Sequence, residues 1–257
     1  MMKIKEIQER LRDLACSKSK QFGFEVKDTP EKTLWSINFN VPYQDFVDQQ
    51  EMAQANLELD GKSCLGRVAQ AAAIVENYFP DTDLQLAEVR KDRLAEMMLG
   101  MLAESPEKKY DPSFISELLM YEEPHMVLLV DGRQFEPLSL QLGQDIQHPR
   151  IEVFPVWEGI TASSLTSYAW LEREAESKLE ILQEAEKLCP GTTLVSENMC
   201  ESLEVFGRRK ELLEKVAWCV QERPCARNLY VMYALTGDKN YYDHLVKIYS
   251  EEIMKYF

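Results

Sequence analysis

Apolar residues recur at helical spacing through the segment GKSCLGRVAQAAAIVENYF, residues 61–79. Ser63 stands where an N-cap belongs, because its hydroxyl oxygen can accept a hydrogen bond from a free backbone N–H. Cys64 then falls in the first helical turn, where the helix dipole and the free N–H groups favour negative charge. A buried helix is predicted from the apolar positions, which are Val68, Ala71, Ala72, Val75 and Phe79.

The pattern predicts further elements along the chain. Alternation in TLWSINFNV, residues 33–41, predicts a strand that ends before Pro42, and LQLAEV, residues 84–89, predicts another. Residues 43–59 fit either a helix or an extended connector. Three other helices are predicted from their apolar spacing, at residues 3–20, 92–104 and 113–121.

A strand–turn–strand pattern is clearest in EPHMVLLVDGRQFEPLSLQL, residues 123–142. The dipeptide Asp131-Gly132 favours a two-residue hairpin turn, since such turns need residues that tolerate a positive φ. The first strand is therefore predicted at 125–130 and the second at 133–140. His125 opens the first strand, directly after Pro124.

The organisation of the chain is predicted to change near residue 158. Residues 143–159 are irregular and contain two prolines, and the pattern after them is helical. We therefore predict an α+β domain at 1–158 and a helical domain at 159–257. Pro190 and Pro224 each follow a predicted helix and lie 34 residues apart, which is the period of tetratricopeptide repeats. The helical part resembles those repeats in this spacing, and an unrelated array of helical hairpins is the alternative.

Composition narrows the function classes. The formal net charge of −15 disfavours nucleic acid as a partner, because affinity for phosphate backbones comes from Lys and Arg. The six cysteines are scattered without a CxxC pair, so no structural metal site is expected, and no cofactor is implied. No signal peptide and no apolar run of membrane-spanning length is found, so we expect a cytoplasmic protein that does not enter a membrane. The oligomeric state stays open.

Residues 55–145 resemble the transglutaminase-like group within the papain-like cysteine enzymes. The matching pieces are Cys64 at the start of SCLGRVAQAAAIVENYF, His125 in HMVLLV, the Asp131-Gly132 turn and Phe135 on the returning strand. The resemblance implies an α+β fold in which a helix carrying the cysteine packs near an antiparallel sheet. It also implies a catalytic Cys64–His125 pair that is completed by an acidic residue on the second strand.

The third member of that set is left open by the sequence. Ser139 stands where the family's Asp is expected, and a hydroxyl accepts from imidazole without supplying charge. In the predicted register His125 pairs opposite Leu138, so Glu136 lies diagonally on the same face. Asp145 lies beyond the strand and could fold back, and Gln141 could orient the ring as a neutral amide.

Two functions follow from the resemblance. One is a cysteine-dependent acyl-transfer enzyme that acts on a peptide or amide and hydrolyses it or transfers the acyl group to an amine. Gln54 and Asn56, which precede the cysteine, are candidate donors to the oxyanion. The other is a silent fold of the same kind, in which the helical repeat-like part binds a protein partner. A further alternative is a structural protein in which Cys64 and His125 never meet.

Overall fold

The chain divides into two compact units, which we describe separately. The first comprises Met1–Val89 and His125–Val195, and the second comprises Arg90–Pro124 and Ser196–Phe257. The structure is a computed structural model. It describes residues 4–20, 23–28, 33–39, 41–44, 48–90, 124–136, 141–142, 150–190, 192–222 and 226–254.

The described strands form one sheet in the order β1-β2-β6-β5-β4-β3-β7. The pairings of β1 with β2, β2 with β6, β6 with β5, β5 with β4 and β3 with β7 are antiparallel. Together with the helices, this gives an α+β architecture. The strands are β1 (Gly23–Asp28), β2 (Thr33–Asn38), β3 (Leu84–Arg90), β4 (Pro124–Val130), β5 (Arg133–Glu136), β6 (Gln141–Leu142) and β7 (Arg150–Pro155).

Five of the described helices lie in the first unit. They are α1 (Ile4–Ser19), α2 (Gln49–Leu57), α3 (Cys64–Tyr78), α4 (Val156–Leu171) and α5 (Ala175–Leu188). Helix α3 begins at Cys64 and is buried from Leu65 through Val75, so the predicted buried helix is confirmed. Its apolar side chains share one core with β-sheet residues that include Ile37, Leu128 and Phe135.

The β4–β5 hairpin has the predicted turn. Asp131 and Gly132 adopt φ values of 49° and 74°, and Val130 pairs with Arg133 across them. The neighbouring strand is tied to the same turn, because Asp131 N donates to Asp83 O at 2.9 Å and Asp83 N donates to Asp131 Oδ1 at 3.0 Å. These contacts fix the end of β4 opposite to the one that carries His125.

Helix α4 packs closely on the sheet at Gly159. A Cβ at this glycine would lie 2.5 Å from Leu86 Cδ2 and 3.1 Å from Leu86 Cβ, so a side chain there would force Leu86 to move. A polar contact joins α4 to α3, because Trp157 Nε1 donates to Glu76 Oε1 at 2.8 Å. Arg12 of α1 pairs with the other oxygen of Glu76 at 2.9 Å, so one carboxylate links three helices.

Helix α6 (Thr193–Val205) begins at the end of the first unit, and the second unit contains α7 (Arg209–Glu222), α8 (Ala226–Thr236) and α9 (Lys239–Met254). Gly207 and Gly237 follow helix ends with φ values of 66° and 71°, as glycines after a helix commonly do. Leu229 and Leu245 are the buried centre of the α8–α9 contact. No helix within the described ranges combines the length and apolar character that crossing a membrane requires.

Several sequence predictions are confirmed and others need correction. The predicted elements at 3–20, 33–41 and 84–89 correspond to α1, β2 and β3. The segment 143–159 was predicted to be irregular, which is wrong from Arg150 onward, because β7 pairs there with β3 and α4 begins at Val156. The predicted domain boundary after residue 158 lies inside α4, a helix of the first unit. Helices predicted at 92–104 and 113–121 lie outside the described residues.

The close approach at Gly66 generates a prediction about stability. An added Cβ would overlap the backbone carbonyl oxygen of Asp60, which cannot move as a flexible side chain would. We expect Gly66→Ala to lower the free energy of unfolding by about 2 kcal/mol or more, although Ala is the better helix former. Thermal and urea denaturation would measure the loss.

Gly132→Ala is the matched control for this substitution. A Cβ at Gly132 meets no atom, and only its positive φ opposes a side chain, at a cost of about 1 kcal/mol. Equal stability of Gly66→Ala and the wild type would contradict the close packing described for the first turn of α3.

Candidate cysteine–histidine site

Cys64 is held at the N-terminus of α3 by a side-chain cap. Ser63 is the N-cap residue, and its Oγ accepts from the backbone N–H of Gly66 at 3.0 Å. The first turn contains no acidic residue, so no nearby carboxylate of the helix opposes a negative charge on the sulfur. The cysteine itself is partly buried, and the helix behind it forms part of the core.

The turn before Cys64 is fixed against the same helix. Gln70 Nε2 donates to the carbonyl oxygen of Leu59 at 2.5 Å, and Leu59 is fully buried with a φ of 47°. Gly66 lies against the backbone of Leu59 and Asp60. The position of the thiol is thus set on both sides, by the helix after it and by the turn before it.

His125 reaches the same point from the sheet. It follows Pro124 at the start of β4 and is only 2% exposed. Its Nδ1 lies 3.6 Å from Cys64 Sγ, within hydrogen-bonding distance for a sulfur atom. A thiol would donate to Nδ1, whereas a protonated ring would donate to a thiolate. This distance argues against the alternative of a structural protein in which Cys64 and His125 are far apart.

Tyr43 is a third group at the sulfur, and the sequence analysis did not identify it. Its hydroxyl oxygen lies 3.4 Å from Cys64 Sγ and can accept from the thiol when the thiol proton is not directed at His125. The tyrosine lies on the segment between β2 and α2, 21 residues before the cysteine. No spacing rule connects a loop residue to a helix N-terminus, so only the fold reveals the contact.

Arg67 is the buried cation of the site and was also missed. It lies one helical turn after Cys64 and is 3% exposed. Its Nε donates to Gly61 O at 2.6 Å and its Nη2 to Val41 O at 2.9 Å. Burial lowers the pKa of Arg67, while negative charge on Cys64 and on Tyr43 raises it. The guanidinium therefore joins the two segments that flank the sulfur.

The two candidate oxyanion donors are engaged elsewhere. Gln54 Nε2 donates to Glu58 Oε1 at 2.7 Å, within α2 and its cap. Asn56 Nδ2 donates to Ser167 Oγ of α4 at 3.1 Å. The contact of Asn56 therefore attaches α2 to α4, that of Gln54 stays within α2 and its cap, and neither is directed to Cys64.

The candidates for the orienting residue are only partly covered by the described residues. Leu128 pairs with Phe135, which confirms the register expected from a two-residue turn. The backbone of Glu136 pairs with Gln141 across β5 and β6, and their side chains lie outside the description. Ser139 and Asp145 lie outside the described residues.

Two other cysteines lie where burial disfavours the thiolate. Cys189 is fully buried, and burial raises its pKa to about 12, with further contributions from Glu158 and Glu88. Burial also raises the pKa of Cys16. No disulfide joins any two of the five described cysteines, and the described residues contain no cluster of three or more metal-ligating groups.

Comparison of the chain with protein-family models, with curated proteins and with solved structures found no match in any of the three.

The contrast between two cysteines generates a prediction about labelling. Cys189 remains a buried thiol at neutral pH, and a thiol is a poor nucleophile. We expect native protein treated with iodoacetamide to leave Cys189 unmodified, and urea-unfolded protein to be labelled there fully. Peptide mass spectrometry after a short exposure gives both values. Rapid labelling of Cys189 in the native protein would contradict its buried position.

Proposed function

We propose that this protein is a cysteine-dependent acyl-transfer enzyme in which Cys64 is the nucleophile and His125 is the general base and acid. The observation that supports this most directly is the 3.6 Å contact between Cys64 Sγ and His125 Nδ1 at the start of a buried helix. The proposed substrate is a peptide or another amide. We further propose that the first unit has a transglutaminase-like fold.

The proposed reaction begins when His125 accepts the thiol proton. The Cys64 thiolate attacks the carbonyl carbon, a C–S bond forms, and the carbonyl π electrons move to oxygen. The tetrahedral intermediate collapses, the C–N bond breaks, and His125 returns its proton to the leaving amine. Water or a second amine then attacks the thioester and gives a proton to His125. The C–S bond breaks, and His125 returns the proton to the departing Cys64 sulfur.

Three structural features support this assignment. The N-terminus of α3 favours negative charge on the sulfur. Arg67 adds a buried positive charge one turn away. The order of a cysteine helix, a histidine-led strand and an antiparallel hairpin is the one that the transglutaminase-like resemblance implies. The cysteine helix and the hairpin share one hydrophobic core, so the pair belongs to a preorganised site.

Selective alkylation tests the pair. At about pH 6 an ordinary thiol is almost entirely protonated, whereas a thiol paired with a base retains a thiolate fraction. We expect iodoacetamide to label Cys64 at least about tenfold faster than Cys16 or Cys200 under these conditions. His125→Ala should remove this preference. Site-resolved mass spectrometry measures the rates.

Acyl transfer itself needs a second measurement. We expect an activated ester, p-nitrophenyl acetate, to acetylate Cys64 in the wild type, with the acetyl group lost slowly by hydrolysis. Cys64→Ser is the negative control for the modified site, and His244→Ala is a matched control for loss of a histidine outside this site. Labelling of all accessible thiols at equal rates, with no acetyl-Cys64, would favour the silent fold that binds a partner.

A further inference from the structure

Two polar groups from separate segments approach the sulfur of Cys64. His125 Nδ1 comes from the sheet at 3.6 Å, and the Tyr43 hydroxyl comes from the loop after β2 at 3.4 Å. A catalytic pair requires only the first. The second is a phenol, which can donate a hydrogen bond to a thiolate as readily as it accepts one from a thiol.

The ring of Tyr43 is held by Arg67 rather than left on the surface. The guanidinium carbon lies 5.4 Å from the ring centroid of Tyr43 and 5.2 Å from that of Phe39. Cation–π contacts of this kind gain strength when the cation is removed from water, as Arg67 is. The loop is further fixed because Arg67 donates to the carbonyl oxygen of Val41, two residues before the tyrosine.

The same guanidinium is electrostatically coupled to the sulfur. Burial lowers the pKa of Arg67, and negative charge on Cys64 acts in the opposite sense, so a thiolate and the guanidinium stabilise one another. Around Cys64, the charged or titratable groups identified among the described residues are His125 on β4, Tyr43 on the loop and Arg67 on α3. The preceding turn adds Asp60 and Lys62.

We infer that Tyr43 is a further catalytic residue of the proposed reaction. Its hydroxyl donates a hydrogen bond to the Cys64 thiolate once His125 has taken the proton, and Arg67 is the positioning residue that holds the tyrosine there. This inference rests on the proposed function, because it gives the phenol a role in forming the nucleophile. A hydrogen bond to a charged acceptor is among the stronger polar contacts.

The inference separates two effects of the hydroxyl. By stabilising the thiolate, the hydrogen bond favours the reactive form. By occupying a lone pair of sulfur, it lowers the intrinsic reactivity of each thiolate. The alkylation rate in mildly acidic buffer therefore reports the first effect, and the rate at the alkaline plateau reports the second.

Tyr43→Phe removes the hydroxyl and keeps the ring that stacks on Arg67. We expect the rate of Cys64 alkylation by iodoacetamide at about pH 6 to fall about tenfold, because the thiolate loses a hydrogen-bond donor. The alkaline plateau should stay equal or rise. Tyr78→Phe is the matched control, because Tyr78 is an exposed tyrosine at the far end of the same helix.

Arg67→Lys tests the positioning role. Lysine keeps the charge but cannot reproduce the planar stacking and the two directed hydrogen bonds of arginine. We expect the alkylation rate of Cys64 at about pH 6 to fall as it does for Tyr43→Phe, and the double variant to add little to either single change. Thermal denaturation of each variant shows whether it folds. If Arg67→Lys does not fold, the Tyr43→Phe result alone tests the inference.

The outcomes distinguish this inference from the proposed function. If His125→Ala slows the alkylation of Cys64 and Tyr43→Phe leaves its rate equal to that of the wild type, the role of Tyr43 is refuted and the Cys64–His125 pair is supported. If neither variant changes the rate and Cys64 labels no faster than Cys16, the proposed function itself fails. A fall in the alkylation rate of Cys64 with Tyr43→Phe, and no change with Tyr78→Phe, supports the inference.

Discussion

The contact between the first turn of α3 and the backbone of Leu59 and Asp60 is the constraint on which the site depends. Gly66 permits it, since any side chain there would overlap the carbonyl oxygen of Asp60. The close approach sets where α3 begins and therefore where Cys64 lies. The capping bond from Gly66 to Ser63 and the bond from Gln70 to Leu59 O stabilise the same arrangement from either side.

Buried polar groups also fix the surroundings of Cys64, and Arg67 is the main one. Arg67 is costly to bury, and the structure offsets this cost with two carbonyl acceptors and two aromatic faces. These contacts attach the Tyr43 loop to the helix that carries the cysteine. On the other side of the sulfur, the β4–β5 hairpin brings His125 to the helix N-terminus. Helix, loop and sheet therefore meet at one sulfur atom.

Local signals were readable from the sequence, and long-range contacts were not. The apolar period and Ser63 predicted the start of α3, and Asp131-Gly132 predicted the turn and register of the hairpin. The Cys64–His125 approach was expected only through a family resemblance, because 61 residues separate the two. Tyr43 and Arg67 carried no signal, since an aromatic loop residue and a helical arginine are ordinary at the surface. Strand β7 was missed because Pro149 and Pro155 are typical of a loop, although Pro149 precedes the strand and Pro155 stands at its end.

The central claim is that Cys64 and His125 form a reactive pair, and the thiolate absorbance in the far ultraviolet tests it most directly. The difference spectrum of wild type minus Cys64→Ser isolates the signal of this one sulfur. The account predicts that this thiolate band is stronger in the wild type than in His125→Ala at the same pH. A band of equal strength in the two proteins would contradict it.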